Sequence, residues 1–197
     1  MSLPPIILAS TSPRRSELLR TIGVEFKVIP SAATEIHNEQ LTATEISQLN
    51  AYRKARAVAK KFPDALVLGA DTLVYLRTTL FGKPSNLEDS YRMLKQLQGH
   101  THQVVTGVCL IYLRGHRQTI FAESTEVKFR SLGIQQIRDY LALINPLDKA
   151  GAYAIQEHGE KIVESISGSM SNVIGLPLER LQEELASWGR AGRRDPH

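Results

Sequence analysis

One short segment near the N-terminus establishes the type of fold: Ile6-Ile7-Leu8-Ala9-Ser10-Thr11-Ser12-Pro13-Arg14-Arg15. Its first four residues form an apolar run that is typical of a buried strand, and apolar residues from Leu18 to Ile22 follow at helical spacing. Ser12 is a good helix N-cap, and Pro13 suits the first helical position. The segment therefore predicts a strand, a tight turn and a helix that starts at Pro13.

Arg14 and Arg15 fall in the first turn of this predicted helix. The helix dipole is already positive at that end, so cations are disfavoured there. Two adjacent arginines beside free backbone N–H groups make a strong site for an anion, and the arrangement suits a phosphate. The alternative interpretation is a solvated helix start that tolerates the two arginines.

Strands and helices alternate along the rest of the chain, and hairpins occur among them. The apolar patterns predict strands at 5–9, 25–29, 65–69, 73–76, 79–81, 102–113, 117–130 and 161–166, and helices at 13–22, 42–61, 86–97, 133–144 and 177–187. This order favours an α/β fold with a mixed, twisted sheet and flanking helices over a purely parallel sheet. We expect one domain over residues 1–188, followed by a disordered basic tail at 189–197.

Length, composition and charge exclude several classes of protein. The 197 residues suffice for one good-sized domain or two small lobes around a cleft. We expect neither a membrane span nor a secretory signal, because no apolar run is long enough and no basic segment precedes one. The one cysteine, Cys109, lies in an apolar run and is interpreted as a buried small hydrophobe in a cytoplasmic protein. Of the net charge of +4, the tail contributes +2, so the body is too weakly basic to predict nucleic-acid binding.

The segment Gly-Ala-Asp-Thr at 69–72 follows the strand predicted at 65–69. A carboxylate at the carboxyl end of a sheet strand often faces a ligand crevice, and small residues before it let a substrate approach. Asp71 is therefore a candidate general base toward water or a candidate magnesium ligand. The alternative is an aspartate that only caps the following turn.

Two later segments carry polar groups that a nucleotide site could use. Lys83, in Gly-Lys-Pro at 82–84, could neutralise a phosphate, although these three residues alone favour an exposed turn lysine. The segment 148–156 combines an acid, a base and small residues, and it ends in Gln156, whose amide could read the edge of a base. His100 and His102 lack further ligands in a zinc pattern, so we interpret them as structural or solvated.

Together these segments resemble the Maf family of nucleoside triphosphate pyrophosphatases. The matching segments are 10–15, 53–55, 69–72, 82–84, 99–104, 148–153 and 175–177. Each is unspecific by itself, but they run in the family's order over nearly the whole chain, and the ordered set is very specific. Gln156 resembles the subgroup that prefers dTTP and UTP, whereas the subgroup acting on 7-methyl-GTP differs after the Ala-Gly pair at 150–151.

The resemblance implies a Maf/ITPase-like fold with two lobes around a nucleotide cleft. It implies hydrolysis of dTTP and UTP, or of modified pyrimidine nucleotides, to the monophosphate and pyrophosphate with Mg²⁺ or Mn²⁺. It also implies a homodimer in the cytoplasm, with a nucleoside triphosphate as its substrate.

The resemblance further assigns roles to individual residues. It implies that Asp71 is the catalytic base and that Arg14, Thr72 and Gln156 set specificity. The phosphate and metal-site residues map onto Ser10, Arg14, Arg15, Lys54, Lys83 and Glu35, with Asp71 as a second metal ligand. Glu39 is the rival of Glu35, because the loop 31–40 aligns poorly with the family.

Two other classes of protein stay open. Family members are associated with arrest of septum formation, so a non-catalytic nucleotide-binding regulator of cell division is the main alternative. The combination of Asp71, Lys83 and Lys149 favours an enzyme, because a pure binder need not keep a base. An RNA-binding module is suggested only by the basic tail, and a chain with 6% aromatic residues shows no evident stacking platform.

Overall fold

The computed structural model describes residues 3–38 and 40–191. The strands are β1 (Ile6–Leu8), β2 (Phe26–Val28), β3 (Leu66–Leu76), β4 (Thr79–Phe81), β5 (Thr101–Tyr112), β6 (Arg117–Phe129) and β7 (Val163–Ser167). The helices are α1 (Pro13–Thr21), α2 (Ala43–Ala59), α3 (Leu87–Leu97), α4 (Ile134–Leu141), α5 (Met170–Ile174) and α6 (Leu178–Ala191). None of these helices is both long and apolar enough to cross a membrane.

The seven strands form one mixed sheet, as the sequence predicts. Its order is β2-β1-β3-β5-β6-β7, and β4 pairs with β3. β1 runs parallel to β2 and β3, whereas β4 runs antiparallel to β3 and β7 antiparallel to β6. The predicted α/β class with a mixed sheet and flanking helices is therefore confirmed.

The predicted end of the third strand is wrong. β3 continues without a break from Leu66 to Leu76, so Asp71 lies in the middle of a strand rather than beyond its end. β1 pairs with β3 as far as Leu68, and β4 pairs with it from Val74 onward. Asp71 therefore lies between the part of β3 that pairs with β1 and the part that pairs with β4.

The structure also differs from the sequence-based prediction in the last quarter of the chain. The segment 148–156 contains parts of two short 3-10 helices that the sequence does not predict, Pro146–Asp148 and Ala150–Ala152, and a third follows at Gly159–Lys161. The turn-rich segment at 168–177 contains α5, which the sequence does not predict. The last helix extends to Ala191, and the remainder of the predicted tail, 192–197, lies outside the described residues.

One compact unit comprises the described residues 3–38, 40–71, 106–122 and 175–191. In its core, α2 packs against β1, β3 and β5. Two glycines permit the close approach: a Cβ at Gly69 would lie 2.8 Å from the backbone nitrogen of Ala55, and one at Gly107 would meet the backbone of Ser47. Cys109 is fully buried in this core, as predicted, and burial raises the pKa of its thiol to about 12.

A second unit comprises Thr72–Val105 and Glu123–Ile174 and has a core of its own. In this core, the His102 ring is 1% exposed, its Nε2 lies 2.8 Å from the Tyr153 hydroxyl oxygen, and the Phe129 ring packs edge-on against it. Burial lowers the pKa of His102 to about 4. His102 is therefore a neutral core histidine, whereas His100 is exposed just before β5.

We expect Gly69→Ala to lower the free energy of unfolding by about 1–3 kcal/mol, because the added methyl group forces α2 away from β3. Gly189→Ala is the matched control: a Cβ there meets nothing within 4 Å, and alanine is the better helix former. Chemical denaturation of both variants measures the difference. Equal stability of Gly69→Ala and the wild type would contradict the close packing of α2 on β3.

We expect the free energy of unfolding to decrease as the pH falls from about 6.5 to about 4. In this window the unfolded chain protonates His102, whereas burial keeps the ring neutral in the folded protein. His102→Gln should remove up to about 3 kcal/mol of this pH dependence. The control is His100→Gln, which changes an exposed ring, and unfolding curves at several pH values provide the measurement. Parallel pH profiles for His102→Gln and the wild type would count against a neutral buried His102.

Candidate active site

The turn between β1 and α1 brings Ser10 and the two arginines together. α1 begins at Pro13 with Ser12 at the N-cap, as predicted. The Ser12 hydroxyl makes no capping hydrogen bond among the described residues; instead the Ser12 N–H donates to Ser10 Oγ at 3.2 Å. Ser10 is buried, and its hydroxyl stabilises the turn that leads into the helix by accepting this hydrogen bond.

Arg14 and Arg15 occupy the first turn of α1, which contains no acidic residue. The guanidinium of Arg15 donates from Nε to the carbonyl oxygen of Gly175 at 2.8 Å and from Nη1 to Ser10 Oγ at 3.3 Å. Burial lowers the pKa of Arg15, although the negative charges of Asp71 and Glu35 oppose this shift. These two hydrogen bonds hold the Arg15 side chain in place. The two arginines give the start of the helix a positive charge.

The carboxylate of Asp71 is 4% exposed and is held by two side chains of α2. Lys54 Nζ donates to Asp71 Oδ1 at 2.6 Å, and Asn50 Nδ2 donates to Asp71 Oδ2 at 3.1 Å. Lys54 also donates to Glu35 Oε1 at 2.7 Å, and the Glu35 side chain is 37% exposed. Glu35, Asn50, Lys54 and Asp71 therefore form one polar cluster, which we call the Asp71 cluster.

This arrangement leaves the Asp71 carboxylate able to act on water. An ionised carboxylate has about four lone-pair sites, and the hydrogen bonds from Lys54 and Asn50 use two of them. The remaining sites can accept a proton or a hydrogen bond from a water molecule, as a general base must. Lys54 contacts the carboxylate and Arg15 interacts with it electrostatically, so both cations can stabilise negative charge on a substrate that approaches Asp71.

Sequence reasoning missed Asn50. The residue stands one helical turn before Lys54, and a spacing of four places both side chains on the same face of α2. That spacing is the only local signal, and it is common in any helix. The contact with Asp71 becomes apparent only when α2 is packed on β3.

The metal-site assignments concern Glu35, Asp71 and the rival Glu39. Within residues 3–38 and 40–191, no group of three or more His, Cys, Asp or Glu side chains comes together. Glu35 and Asp71 both contact Lys54, and Glu39 lies outside the described residues. Two carboxylates are nevertheless enough for Mg²⁺ when substrate phosphates supply further ligands.

The other three predicted site residues belong to the second unit. Thr72 is half-buried in β3, Lys83 is exposed in the irregular segment after β4, and Gln156 is exposed on a turn. The N–H of Gly151 donates to the carbonyl oxygen of Gly82 at 3.0 Å, so the segment that carries Lys83 packs against the loop 148–156.

A buried lysine stabilises this loop. Lys149 Nζ donates to the carbonyl oxygen of Asn145 at 2.7 Å and to Asp148 Oδ1 at 2.9 Å, and Glu157 Oε1 lies 3.4 Å away. The Lys149 side chain is only 5% exposed. Asn145 and Asp148 precede the segment that leads to Gln156, and Glu157 follows it. Lys149 therefore connects the two ends of this loop.

Comparison with known proteins gives a consistent result. A family model described as Maf-like protein matches residues 5–188. A dTTP/UTP pyrophosphatase from Akkermansia muciniphila is 43% identical over 187 residues, which cover 95% of this chain and 98% of that protein. Proteins of the same name from Acetivibrio thermocellus and Gloeobacter violaceus are each 45% identical, over 93% and 94% of this chain and 95% and 96% of their own lengths.

We expect Lys54→Met to lower the free energy of unfolding by about 3 kcal/mol, because it leaves the buried Asp71 carboxylate without its cation. The matched control is Lys128→Met, which breaks a 2.7 Å pair with Glu164 whose side chains are nearly half exposed. That loss should stay below about 1 kcal/mol. Urea denaturation of both variants measures the two losses, and equal values would show that burial of the Asp71 pair carries no additional cost.

Proposed function

This chain belongs to the Maf family, and on that premise we propose that it is a nucleoside triphosphate pyrophosphatase that hydrolyses dTTP and UTP to the monophosphate and pyrophosphate. The observation that carries the proposal is the Asp71 cluster, in which a buried carboxylate accepts hydrogen bonds from Lys54 and Asn50. The names of the relatives support the choice of dTTP and UTP.

In the proposed reaction, water attacks the α-phosphorus of the nucleotide. The bond between that phosphorus and the oxygen bridging it to the β-phosphate breaks, and pyrophosphate leaves. Asp71 orients the attacking water and accepts its proton. Lys54 pairs with the Asp71 carboxylate and adds positive charge beside the reacting phosphate.

The triphosphate needs several cations along its length, and the first unit offers them close together. Arg14 and Arg15 lie in the first turn of α1, where the positive end of the helix dipole also favours a phosphate. Ser10, which contacts the Arg15 guanidinium, completes this part of the proposed phosphate site. We also assign Lys83 to phosphate binding, because its side chain is exposed next to Pro84 and has no role in the core.

We further propose that Glu35 and Asp71 hold a divalent metal, Mg²⁺ or Mn²⁺, together with the nucleotide phosphates. The donor set fits, because both are carboxylates that converge on one point in the structure, the Nζ atom of Lys54. When bound, such a metal neutralises phosphate charge and helps to activate water.

The specificity residues of the proposal are Arg14, Thr72 and Gln156. Gln156 lies exposed on a turn, where its amide can both donate to and accept from a pyrimidine edge. A site that makes such hydrogen bonds discriminates against bases that leave its polar groups unpaired. The cytoplasmic location and the homodimer stay predictions.

We expect the protein to release pyrophosphate from dTTP and UTP in preference to ATP, GTP and CTP, in the presence of Mg²⁺ or Mn²⁺. Asp71→Asn removes the base while keeping the size of the side chain, so turnover should fall by about 100-fold or more. The matched control is Asp64→Asn, which changes an exposed aspartate paired with Arg114 and should leave turnover unchanged. Thermal unfolding of each variant shows whether the fold persists.

Three results would change the proposal. Full activity of Asp71→Asn would refute its role as the base. Turnover of 7-methyl-GTP instead of dTTP and UTP would keep the mechanism and reject the specificity assignment. Tight nucleotide binding without any turnover would favour the alternative, a regulator of cell division that binds nucleotides without hydrolysing them.

A further inference from the structure

The side chain of Asn50 links two parts of the Asp71 cluster. It is 1% exposed. Its Nδ2 donates both to Asp71 Oδ2 and to the carbonyl oxygen of Ile36 at 3.1 Å, and its Oδ1 accepts from the Ile36 N–H at 2.7 Å. One buried amide therefore connects the middle of β3 to the loop that carries Glu35.

The partners determine which way this amide points. Nδ2 faces two acceptors, and Oδ1 faces a backbone donor. A rotation by 180° would place Oδ1 against the Asp71 carboxylate and the Ile36 carbonyl, which are both acceptors. The Asn50 amide thus has a single favourable orientation, and it presents an N–H group to Asp71 in that orientation.

Asn50 and Lys54 differ in how they hold the carboxylate. Lys54 is a charged group on a flexible four-carbon stem, so its ammonium can follow the carboxylate when the latter moves. Asn50 has a short side chain that is fixed by two hydrogen bonds to the Ile36 backbone. The charge near Asp71 Oδ1 therefore comes from Lys54, whereas the restraint on Asp71 Oδ2 comes from Asn50.

We propose that Asn50 is a positioning residue, which fixes the orientation of the Asp71 carboxylate and the place of the Glu35 loop relative to it. The inference rests on the proposed function, because it takes Asp71 as the base that acts on water. Asn50 acts through Asp71 and has no contact with the nucleotide in this role. Its loss therefore lowers the rate of the chemical step more than it weakens nucleotide binding.

The test compares Asn50→Leu and Asn50→Asp with the wild type, using dTTP as the substrate. In both variants kcat should fall by about 10- to 100-fold, as for other residues that orient a reacting group, and KM should change by less than about threefold. The matched controls are Asn172→Leu and Asn172→Asp. Asn172 is fully buried in the second unit, where its Nδ2 donates to the Val104 carbonyl and to Thr125 Oγ1. These controls should lower the unfolding temperature while kcat of the folded protein stays within about threefold of the wild type.

If Asn50→Leu does not fold, Asn50→Asp carries the test: it keeps the side-chain size and the acceptor for the Ile36 N–H, and it replaces the N–H donor to Asp71 with an oxygen that adds negative charge. A wild-type kcat in either folded Asn50 variant overturns the inference. So does a raised KM with an unchanged kcat, because that pattern would place Asn50 in nucleotide binding.

A second measurement tests whether Asn50 restrains Asp71 and does not depend on enzyme activity. In a double-mutant cycle on the free energy of unfolding, Asn50→Leu and Asp71→Asn should be non-additive if the two side chains hold each other. Additive effects overturn the inference even if the enzyme is active. Absence of turnover in the wild type, together with non-additive effects, would reject the proposed function and keep the restraint on Asp71.

Discussion

A carboxylate buried in the middle of a strand is the constraint on which the candidate site depends. Burial of the Asp71 charge is unfavourable unless a cation and hydrogen-bond donors accompany it. α2 supplies both from a single helical turn, through Asn50 and Lys54. It can do so only because Gly69 and Gly107 let the helix lie directly on β3 and β5. Close packing of a helix on the sheet and assembly of the polar cluster are therefore one structural requirement.

The charge balance of the first unit follows from the same arrangement. Glu35 and Asp71 share Lys54, and the negative charges of both carboxylates also act on Arg15. The first turn of α1, which carries Arg14 and Arg15, contains no acidic residue of its own. Because Arg15 is already fixed by Gly175 and Ser10, little side-chain freedom remains to be lost when an anion binds. In the proposed function, this part of the protein is therefore prepared for a substrate phosphate near the Asp71 cluster.

The features that the sequence predicts correctly are those with local signals. Pro13 marks the start of α1, and the apolar spacing that predicts a helix at 42–61 corresponds to α2. The features that it misses depend on packing between distant segments. Gly69 is small because α2 packs against it, although a small residue in a strand also suggests a turn. The role of Asn50 has the same origin, since its partners Ile36 and Asp71 are 14 and 21 residues away.

The residues proposed for the reaction lie on a regular helix and strand, whereas Gln156, which is proposed for specificity, lies on a turn. Asn50, Lys54 and Asp71 project from a regular helix and strand and are held by several buried contacts. Gln156 instead lies on an exposed turn, and the buried Lys149 holds its loop through hydrogen bonds. Substitutions in an exposed turn leave the packing of α2 on β3 intact, because they alter no group in that interface. In the proposed function, a substitution of Gln156 can therefore change the choice of base without disturbing the residues that act on the α-phosphate, whereas a change at the α2 interface alters hydrolysis of every nucleotide alike.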